Sequence, residues 1–484
     1  MSISATLSNA MSGLNMSSRA AELVSSNLAN AMTDGYGRRL LEISSRGHAG
    51  GGGVQVDGVT RVSDPRLVHD RRASEAETAA ADVGAQSHAR VLAAIGTPDD
   101  AMSLNGFLAE FSARLTMAAS DPAVDLRLSN AVTAAADLVG AFNRISGAIQ
   151  EERMTAEAGI ARAVEDLNTD LRRVHSLNID IARTRVTGGD SSALEDQRQR
   201  VIDRISELVP VREFRRANGV VALMSERGQI LLDGPPKEFS FVPSNQITPY
   251  QSLAAATLSG LAYDGVPVAT EITGKLGGGR LAALFNIRDV DMVAAQSELD
   301  AVARNLIERF QDPAVDPTLA PGDPGLFTDA GGAFASTDEI GISARLHLNN
   351  AIDPATNANS AWRLRDGLQA FAPGPVGNAS ILTAMQGGLE RASTVGSGSG
   401  AGQTATMARL FSGVTARFAS LADTADRNLT FSMARSTELV SLERAGGVDS
   451  DEEMQKLLVI ERLYAANARV IEAVDSMLDS LMRI

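Results

Sequence analysis

The stretch that decides the fold reads ISATLSNAMSGLNMSSRAAELVSSNL, from Ile3 to Leu28. Apolar or small residues return in it at alternating steps of four and three, as at Leu7 and Val24. A second run with the same steps closes the chain, over residues 457–481. This heptad spacing keeps one stripe of a helix facing a partner helix, because an exposed apolar stripe is unfavourable in water. We therefore predict that the two terminal helices pair as a coiled coil, with each other and with neighbouring copies.

The predicted assembly interface consists of large or polar side chains at the heptad positions. Its residues are Ile3, Leu7, Leu14, Val24, Leu28, Leu457, Ile460, Tyr464, Asn467, Ile471, Val474, Leu478 and Leu481. In general, such a stripe lies more often in the core of its own domain than between molecules. The location of both stripes at the ends of the chain favours an interface here. An asparagine at a core position, such as Asn467, would fix the register at a cost in stability.

Composition limits the class of protein. A length of 484 residues corresponds to roughly three domains. The net charge of −15 argues against nucleic-acid binding, which requires a basic face. The absence of cysteine excludes disulfides and thiolate metal sites. Neither a secretory signal nor an apolar run of about 20 residues is apparent, so these rules alone predict a cytosolic protein without membrane insertion.

Pattern changes along the chain predict a mainly α fold with β-rich inserts. No proline occurs between residues 123 and 186, and heptad spacing runs along this stretch with one slip around Gly159, which predicts a very long helix. The residue pattern changes at Pro210 from helical to β-like. Short β-like runs then flank Asn218-Gly219, a strong type I′ hairpin signal. The predicted architecture is a terminal coiled coil, a long helical shaft and an outward β domain.

The predicted boundaries follow these changes. Residues 1–45 and 446–484 form the terminal coiled-coil domain; residues 46–210, 278–312 and 379–445 form the helical shaft; residues 211–277 form a β-rich outer insert; residues 313–378 form an irregular minor β segment. We expect the outer insert to have a core of its own, because its hairpin signals are local. Within the shaft, a single helix is predicted from Arg280 to Gln311, and the glycines of residues 396–400 predict a flexible linker.

The sequence predicts no catalytic, cofactor or metal site. The five histidines, among them His48, contain no His-Glu-x-x-His arrangement of a zinc protease. Gly274-Lys275-Leu276 lacks the hydroxyl residue that a phosphate loop requires. The acidic run at residues 449–453 is better explained as charge favouring a helix N-terminus than as a cation site. An enzyme carried within residues 211–378 remains the alternative from a different class of protein.

Two motifs at opposite ends of the chain carry a family resemblance. Residues 27–39 read NLANAMTDGYGRR, and residues 451–453 and 464–471 read DEE and YAANARVI. Both resemble the terminal signatures of bacterial flagellar rod and hook axial proteins, with intact spacing. The N-terminal signature residues are Asn27, Asn30, Thr33, Gly35, Tyr36 and Arg38. Leu463 and Ala465 depart from the usual C-terminal motif, whereas Tyr464 and Asn467 agree with it.

Within that family, the long helical region after the first β turn resembles the hook-associated proteins of the hook–filament junction. Asp196-Gln197-Arg198 and residues 278–281 (GGRL) also resemble them. The resemblance implies a structural subunit, not an enzyme, that joins hook to filament by helical self-assembly without a cofactor. Its implied partners are other copies of itself, hook protein, a second hook–filament junction protein and a cytoplasmic export chaperone. The implied location is extracellular, after flagellar type III export without a cleaved signal peptide. A hook or distal-rod protein is the alternative within the family.

Overall fold

The computed structural model describes residues 3–33, 35–46, 52–97, 99–271, 273–357 and 359–482. Its helices are α1 (Ile3–Ala29), α2 (Pro65–Ile95), α3 (Leu104–Ser120), α4 (Asp125–Val186), α5 (Ser192–Leu208), α6 (Gly279–Asn286), α7 (Met292–Phe310), α8 (Ile342–Arg345), α9 (Arg363–Asp366), α10 (Ser380–Glu390), α11 (Met407–Ala445) and α12 (Ser450–Met482). Its strands are β1 (Arg38–Ser45), β2 (Val54–Val62), β3 (Val211–Arg215), β4 (Val221–Ser225), β5 (Ile230–Leu232), β6 (Phe239–Ser240), β7 (Leu261–Tyr263), β8 (Val266–Val268), β9 (Phe327–Asp329), β10 (Leu346–Leu348), β11 (Ser393–Thr394) and β12 (Thr404–Ala405). The fold is mainly α with small antiparallel β inserts, as predicted.

The 62-residue helix α4 is the central element of the shaft. At 1.5 Å per residue it is about 93 Å long. Its apolar side chains recur at steps of three and four and are buried against α3, α5, α6 and α7. Gly140 and Gly147 do not interrupt it, and a Cβ at either position would meet no atom within 4 Å. The prediction of a very long helix is therefore confirmed, without a break at these glycines.

Helix α2 lies along α11 and completes the shaft. Its first turn is capped by Asp64, whose Oδ1 accepts hydrogen bonds from the main-chain N–H groups of Arg66 at 2.9 Å and Leu67 at 3.3 Å. Pro65 occupies the first turn, where a missing N–H costs nothing. The cap fixes the point at which the chain leaves the β1–β2 ribbon and enters the shaft.

The outer insert contains two three-stranded antiparallel sheets, β3-β4-β5 and β6-β7-β8. Asn218 and Gly219 have φ angles of 54° and 75°, and β3 pairs with β4 across them. Positive φ at both central residues defines a type I′ turn, so the predicted hairpin is confirmed.

The expectation that the outer insert has its own core is wrong. Buried side chains of the insert, such as Leu223 and Phe239, belong to the same apolar cluster as α4. Two asparagines of α4 form paired hydrogen bonds with the backbone of the insert, as a neighbouring strand would. The Asn168 amide donates to the main-chain oxygen of Phe239 (2.7 Å) and accepts from the Phe239 N–H (2.9 Å). Asn178 does the same with Val221, at 2.8 and 3.2 Å. Sheets this small cannot enclose a core alone, so they share the core of the shaft.

The predicted single helix from Arg280 to Gln311 is divided by a π-helical segment, Ile287–Asp291, between α6 and α7. The Arg288 side chain in this segment is fully buried and donates to Glu157 Oε2 of α4 at 2.6 Å. A buried guanidinium requires such a partner, and the wider turn accommodates it.

Residues 396–400 are also not the flexible linker that was expected. They lie in the loop of the β11–β12 hairpin, where Ser399 N and Oγ donate to Glu298 of α7 at 3.0 and 2.9 Å. These bonds hold the loop against the shaft, which a composition rule for glycine and serine does not take into account.

Candidate assembly interface

Helices α1 and α12 pack against each other in antiparallel orientation, and we call them the terminal pair. The direction follows from two contacts: Gly13 lies beside Asn467, and Asn27 lies beside Glu453. The end of the terminal pair that carries the start of α1 and the end of α12 is called its tip. The opposite end, next to the β1–β2 ribbon, is called its base.

Small residues let the two helices approach closely. Ala10, Gly13 and Ser17 are buried on α1. A Cβ added at Gly13 would lie 2.6 Å from Asn467 Nδ2, which is closer than van der Waals contact allows. The glycine therefore makes room for the Asn467 amide, which the heptad pattern assigned to the interface.

The terminal pair buries only part of the predicted interface. Val24 and Val474 are buried. The half-buried members are Ile3, Leu7, Leu14, Leu457, Ile460, Asn467 and Ile471. The exposed members are Leu28 (37%), Tyr464 (50%), Leu478 (40%) and Leu481 (58%). Within one chain, the exposed members therefore contribute little to the contact between α1 and α12.

The signature residue Asn27 is the centre of a buried polar cluster at the base. Its side-chain amide donates to Glu453 Oε2 and to the main-chain oxygen of Arg39, both at 3.0 Å. Its Oδ1 accepts from the Tyr36 hydroxyl at 2.9 Å and from the Arg39 N–H at 3.0 Å. Every hydrogen-bonding group of the amide is thus used. Asn27 therefore connects α1, the turn that follows it and α12.

Arg38 makes the second connection to α12. Its Nε donates to Glu453 Oε1 at 3.0 Å and its Nη2 donates to Glu452 Oε1 at 2.9 Å. The hydrogen bond from Arg38, followed by that from Lys456, lowers the pKa of Glu452 from 4.5 to about 2. The hydrogen bond to Glu452 also raises the pKa of Arg38. Both shifts indicate that the charged forms are stabilised at neutral pH.

The remaining signature residues shape the turn after α1. Asn30 Nδ2 donates to the main-chain oxygen of Ser26 at 2.9 Å, and the Thr33 N–H donates to the main-chain oxygen of Asn30 at 2.9 Å. Gly35 adopts a φ of 74°, a left-handed conformation that glycine reaches without steric cost. Asp34, also in the motif, lies outside the described residues. The turn directs the chain from α1 into β1.

Asp196 of α5 joins the base of the terminal pair to the shaft. Its carboxylate accepts from the Gly37 N–H at 3.0 Å, Arg39 Nη2 at 3.1 Å and Arg61 Nε at 2.7 Å. The side chain of Asp196 is 6% exposed, so these charge-assisted bonds are shielded from water. We call Asn27, Arg38, Arg39, Asp196 and Glu453 the basal joint.

The role of the basal joint was not foreseen from the sequence. The acidic run was expected to favour the N-terminus of a helix, and Asp449 does so by accepting from the N–H of Asp451 at 2.9 Å. Glu453 instead binds the N-terminal signature. The presence of both motifs in one chain was the available signal. Their spacing in the sequence does not show that Asn27 of one motif contacts Glu453 of the other.

Among the described residues, no group of three or more histidine, aspartate or glutamate side chains is placed to hold a metal ion. His48 lies outside that part of the chain. In the same ranges, no helix is long and apolar enough to cross a membrane.

Comparison with known proteins finds family models that match three segments of the chain. Residues 94–314 match the flagellar hook-associated protein FlgK helical domain. Residues 7–36 match the flagella basal body rod protein family, and residues 443–484 match the flagellar basal body rod FlgEFG protein C-terminal family. The terminal pair thus lies in segments that are similar to flagellar rod proteins, and α4 lies in the segment that is similar to a hook-associated protein.

Curated relatives narrow the assignment. Flagellar hook-associated protein 1 of Bacillus subtilis is 22% identical, over 98% of this chain and 97% of the relative. The protein of the same name from Escherichia coli is 25% identical, over 67% of this chain and 59% of the relative. This chain is thus similar to flagellar hook-associated protein 1 along nearly its whole length.

The extent of the likeness differs among relatives. The chain spans about 59% of the length of the Escherichia coli relative. A solved structure of the flagellar hook junction protein FlgK from Burkholderia pseudomallei aligns with a TM-score of 0.45 and 17% identity, covering 54% of this chain and 46% of that one.

Proposed function

We propose that this protein is a structural subunit that joins the flagellar hook to the filament by helical self-assembly. The observation that carries the proposal is an exposed apolar surface on α12. We call it the outer stripe, and it consists of Val459 (53% exposed), Leu463 (44%), Val470 (40%), Met477 (57%) and Leu481 (58%). Exposed apolar surface of this extent is typical of an interaction site.

The outer stripe and the terminal pair together support assembly. The residues of the stripe recur at steps of four and seven, so they share one face of α12. The Bacillus subtilis relative, aligned over nearly its whole length, carries the name of a hook-associated protein. We propose that the outer stripe and the exposed members of the predicted interface contact neighbouring copies.

We propose the following division of the chain. Residues 1–45 and 446–484 form the terminal domain; residues 46–210, 278–312 and 379–445 form the shaft; residues 211–277 form the outer insert; residues 313–378 form the minor segment. The terminal domain lines the inner tube, the shaft forms the wall, and the outer insert faces outward.

The proposed partners are other copies of the chain, hook protein below, a second junction protein above and a cytoplasmic export chaperone. We propose export through the flagellar type III apparatus to the hook–filament junction, and a mechanical role without catalysis. A hook or distal-rod protein would share the terminal matches. The match of residues 94–314 to a hook-associated helical domain favours the junction.

Immunogold labelling of isolated flagella with an antibody against residues 211–277 tests the location. Label confined to the tip of the hook is expected. Label along the whole hook or along the rod would contradict the proposal and favour the alternative.

The double variant Leu463→Asp, Val470→Asp tests the outer stripe. Because both side chains are exposed, the variant should fold, be exported and fail to support a filament. The matched control is Asp426→Ala on an exposed face of α11, which should support filaments normally. Motile cells with full filaments carrying the double variant would contradict the assembly role of the stripe.

A further inference from the structure

A basic groove lies beside the base of the terminal pair, in a chain whose net charge is −15. The groove has a volume of about 1440 Å³ and runs between α1 with the β1–β2 ribbon on one side and the start of α2, α5 and β3 on the other. Ten arginines and five carboxylates line it. Arg72, Arg212 and Arg216 also form ion pairs with carboxylates just outside the lining, so the unpaired arginines supply most of the positive charge. A concave surface of one sign concentrates the electric field and attracts the opposite charge.

Three of the arginines are available to a partner. Arg39 and Arg61 are already paired with Asp196. In contrast, Arg19, Arg66 and Arg215 are exposed, and their guanidinium groups form no ion pair with any described residue. Their positions on α1, on α2 and on β3 place one free cation on each of three walls.

The tip of the terminal pair has the opposite charge. Glu472, Asp475 and Asp479 lie at steps of three and four, so they share one face of α12. All three are exposed and form no ion pair within the described ranges. Residues 470–482 contain no basic residue, and Arg483 follows outside the described residues.

The groove and the tip of one copy cannot meet. Because Gly13 lies beside Asn467 and the helices are antiparallel, Asp475 lies near residue 5 of α1. Arg19 is 14 residues further along the same helix, which is about 21 Å. The complementary charges can therefore neutralise each other only between two molecules.

We propose that the basic groove of one copy receives the acidic tip of the terminal pair of the next copy. This contact joins two different surfaces of one chain, so it is heterologous and continues into a ring or a helix. The inference deepens the proposed assembly function and rests on it. It adds a polar, salt-sensitive contact to the apolar one of the outer stripe.

Disulfide trapping tests the contact directly, because the chain contains no cysteine. Nine double variants each combine one of Arg19→Cys, Arg66→Cys or Arg215→Cys with one of Glu472→Cys, Asp475→Cys or Asp479→Cys. A disulfide requires Cα atoms within about 7 Å, so a cysteine at position 19 cannot bond one at position 475 of the same copy. A bond within one copy at any other pair would leave the chain monomeric and give no ladder. At least one variant should give an oxidation-dependent ladder of multiples of the chain, both in isolated flagella and in concentrated purified protein.

The control combines Asp475→Cys with Asp426→Cys, which lies on α11 outside the groove, and should give no ladder. Absence of a ladder from all nine variants would overturn the inference. A cross-link to a different protein, identified by mass spectrometry, would also overturn it, because the occupant would not be a second copy.

Charge reversal provides an independent measurement. Changing the three arginines to Glu, or the three acidic residues to Arg, should each weaken self-association by roughly tenfold at low salt. Co-expression of the two reversed chains should restore mixed association between the reversed groove and the reversed tip. Unchanged association of both variants would overturn the contact. Immunogold labelling tests the proposed function independently of this contact. Failure of the contact between copies can therefore be distinguished from failure of the proposed function.

Discussion

Removing the Glu453 carboxylate should separate the terminal helices while leaving the shaft folded. Glu453 is 1% exposed and accepts hydrogen bonds from Asn27 Nδ2 and Arg38 Nε, each at 3.0 Å. Glu453→Ala leaves one N–H of the buried Asn27 amide and the Nε–H of Arg38 without their partners. Both donors belong to the N-terminal signature, so the change removes two of the hydrogen bonds that connect it to α12.

The size of the effect follows from burial. A hydrogen bond to a charged group contributes about 1.5–3 kcal/mol, and breaking a buried charge pair costs about 3–5 kcal/mol. Arg38 keeps its bond to Glu452, which places the expected loss near the lower figure of about 3 kcal/mol. That loss corresponds to roughly a hundredfold change in the opening equilibrium of the terminal pair.

Hydrogen exchange measured by mass spectrometry on the full chain detects this change. Amides in the middle of α1 and α12 should exchange roughly 100-fold faster in Glu453→Ala, whereas amides of α4 should not change. The matched control is Glu452→Ala, because Glu452 binds the same Arg38 from an exposed position. If the two variants protect α1 and α12 equally well, the basal joint does not hold the helices together.

Three further changes test other parts of the structure. Asn168→Leu should lower the thermal unfolding temperature, because the N–H and C=O of Phe239 each lose a hydrogen-bond partner, at a cost of about 1–3 kcal/mol each. An unchanged unfolding temperature would show that the outer insert does not depend on these two hydrogen bonds. The pKa of Glu452 is about 2 in the folded chain, so its contribution to the stability of the terminal pair should be complete above pH 4.5 and disappear as the pH falls towards 2. Hydrogen-exchange rates of α1, corrected for their intrinsic pH dependence, should show this loss at low salt and less of it at high salt. Rates that do not change with pH would contradict the prediction. Val474→Asp buries a charge between α1 and α12 and should cost the terminal pair roughly 3 kcal/mol or more, whereas Leu478→Asp, at a 40% exposed position, should leave it folded; circular dichroism and proteolysis of both variants check the difference.

Local patterns predicted the helical elements well. The length of α4 follows from a periodicity that recurs on both sides of Gly159 within residues 125–186, so most turns support the same assignment. The cap at Asp64 and the hairpin at Asn218-Gly219 are also local, since neighbouring backbone atoms satisfy them. Signals of this kind need no knowledge of the rest of the chain.

Contacts between distant residues could not be predicted in the same way. Asn27 and Glu453 are separated by 426 residues, and the heptad pattern specifies neither the direction nor the register of the pairing. Asn178 falls on a heptad step of α4, although its side chain binds Val221 of the insert. The π-helical segment depends on the reach of Arg288 to Glu157, a tertiary requirement that helix propensity does not contain.

The antiparallel order of α1 and α12 has a mechanical consequence. The start of α1 and the end of α12 lie at the same tip, so the residues between the two helices leave the terminal pair at its base and return to it there. A force between the tip and the shaft divides between α1 and α12, which act as two parallel tethers. Because the basal joint ties them together, neither helix can peel away without loading the other. The pair therefore resists tension as a unit, even though each helix alone would be a marginal element in water.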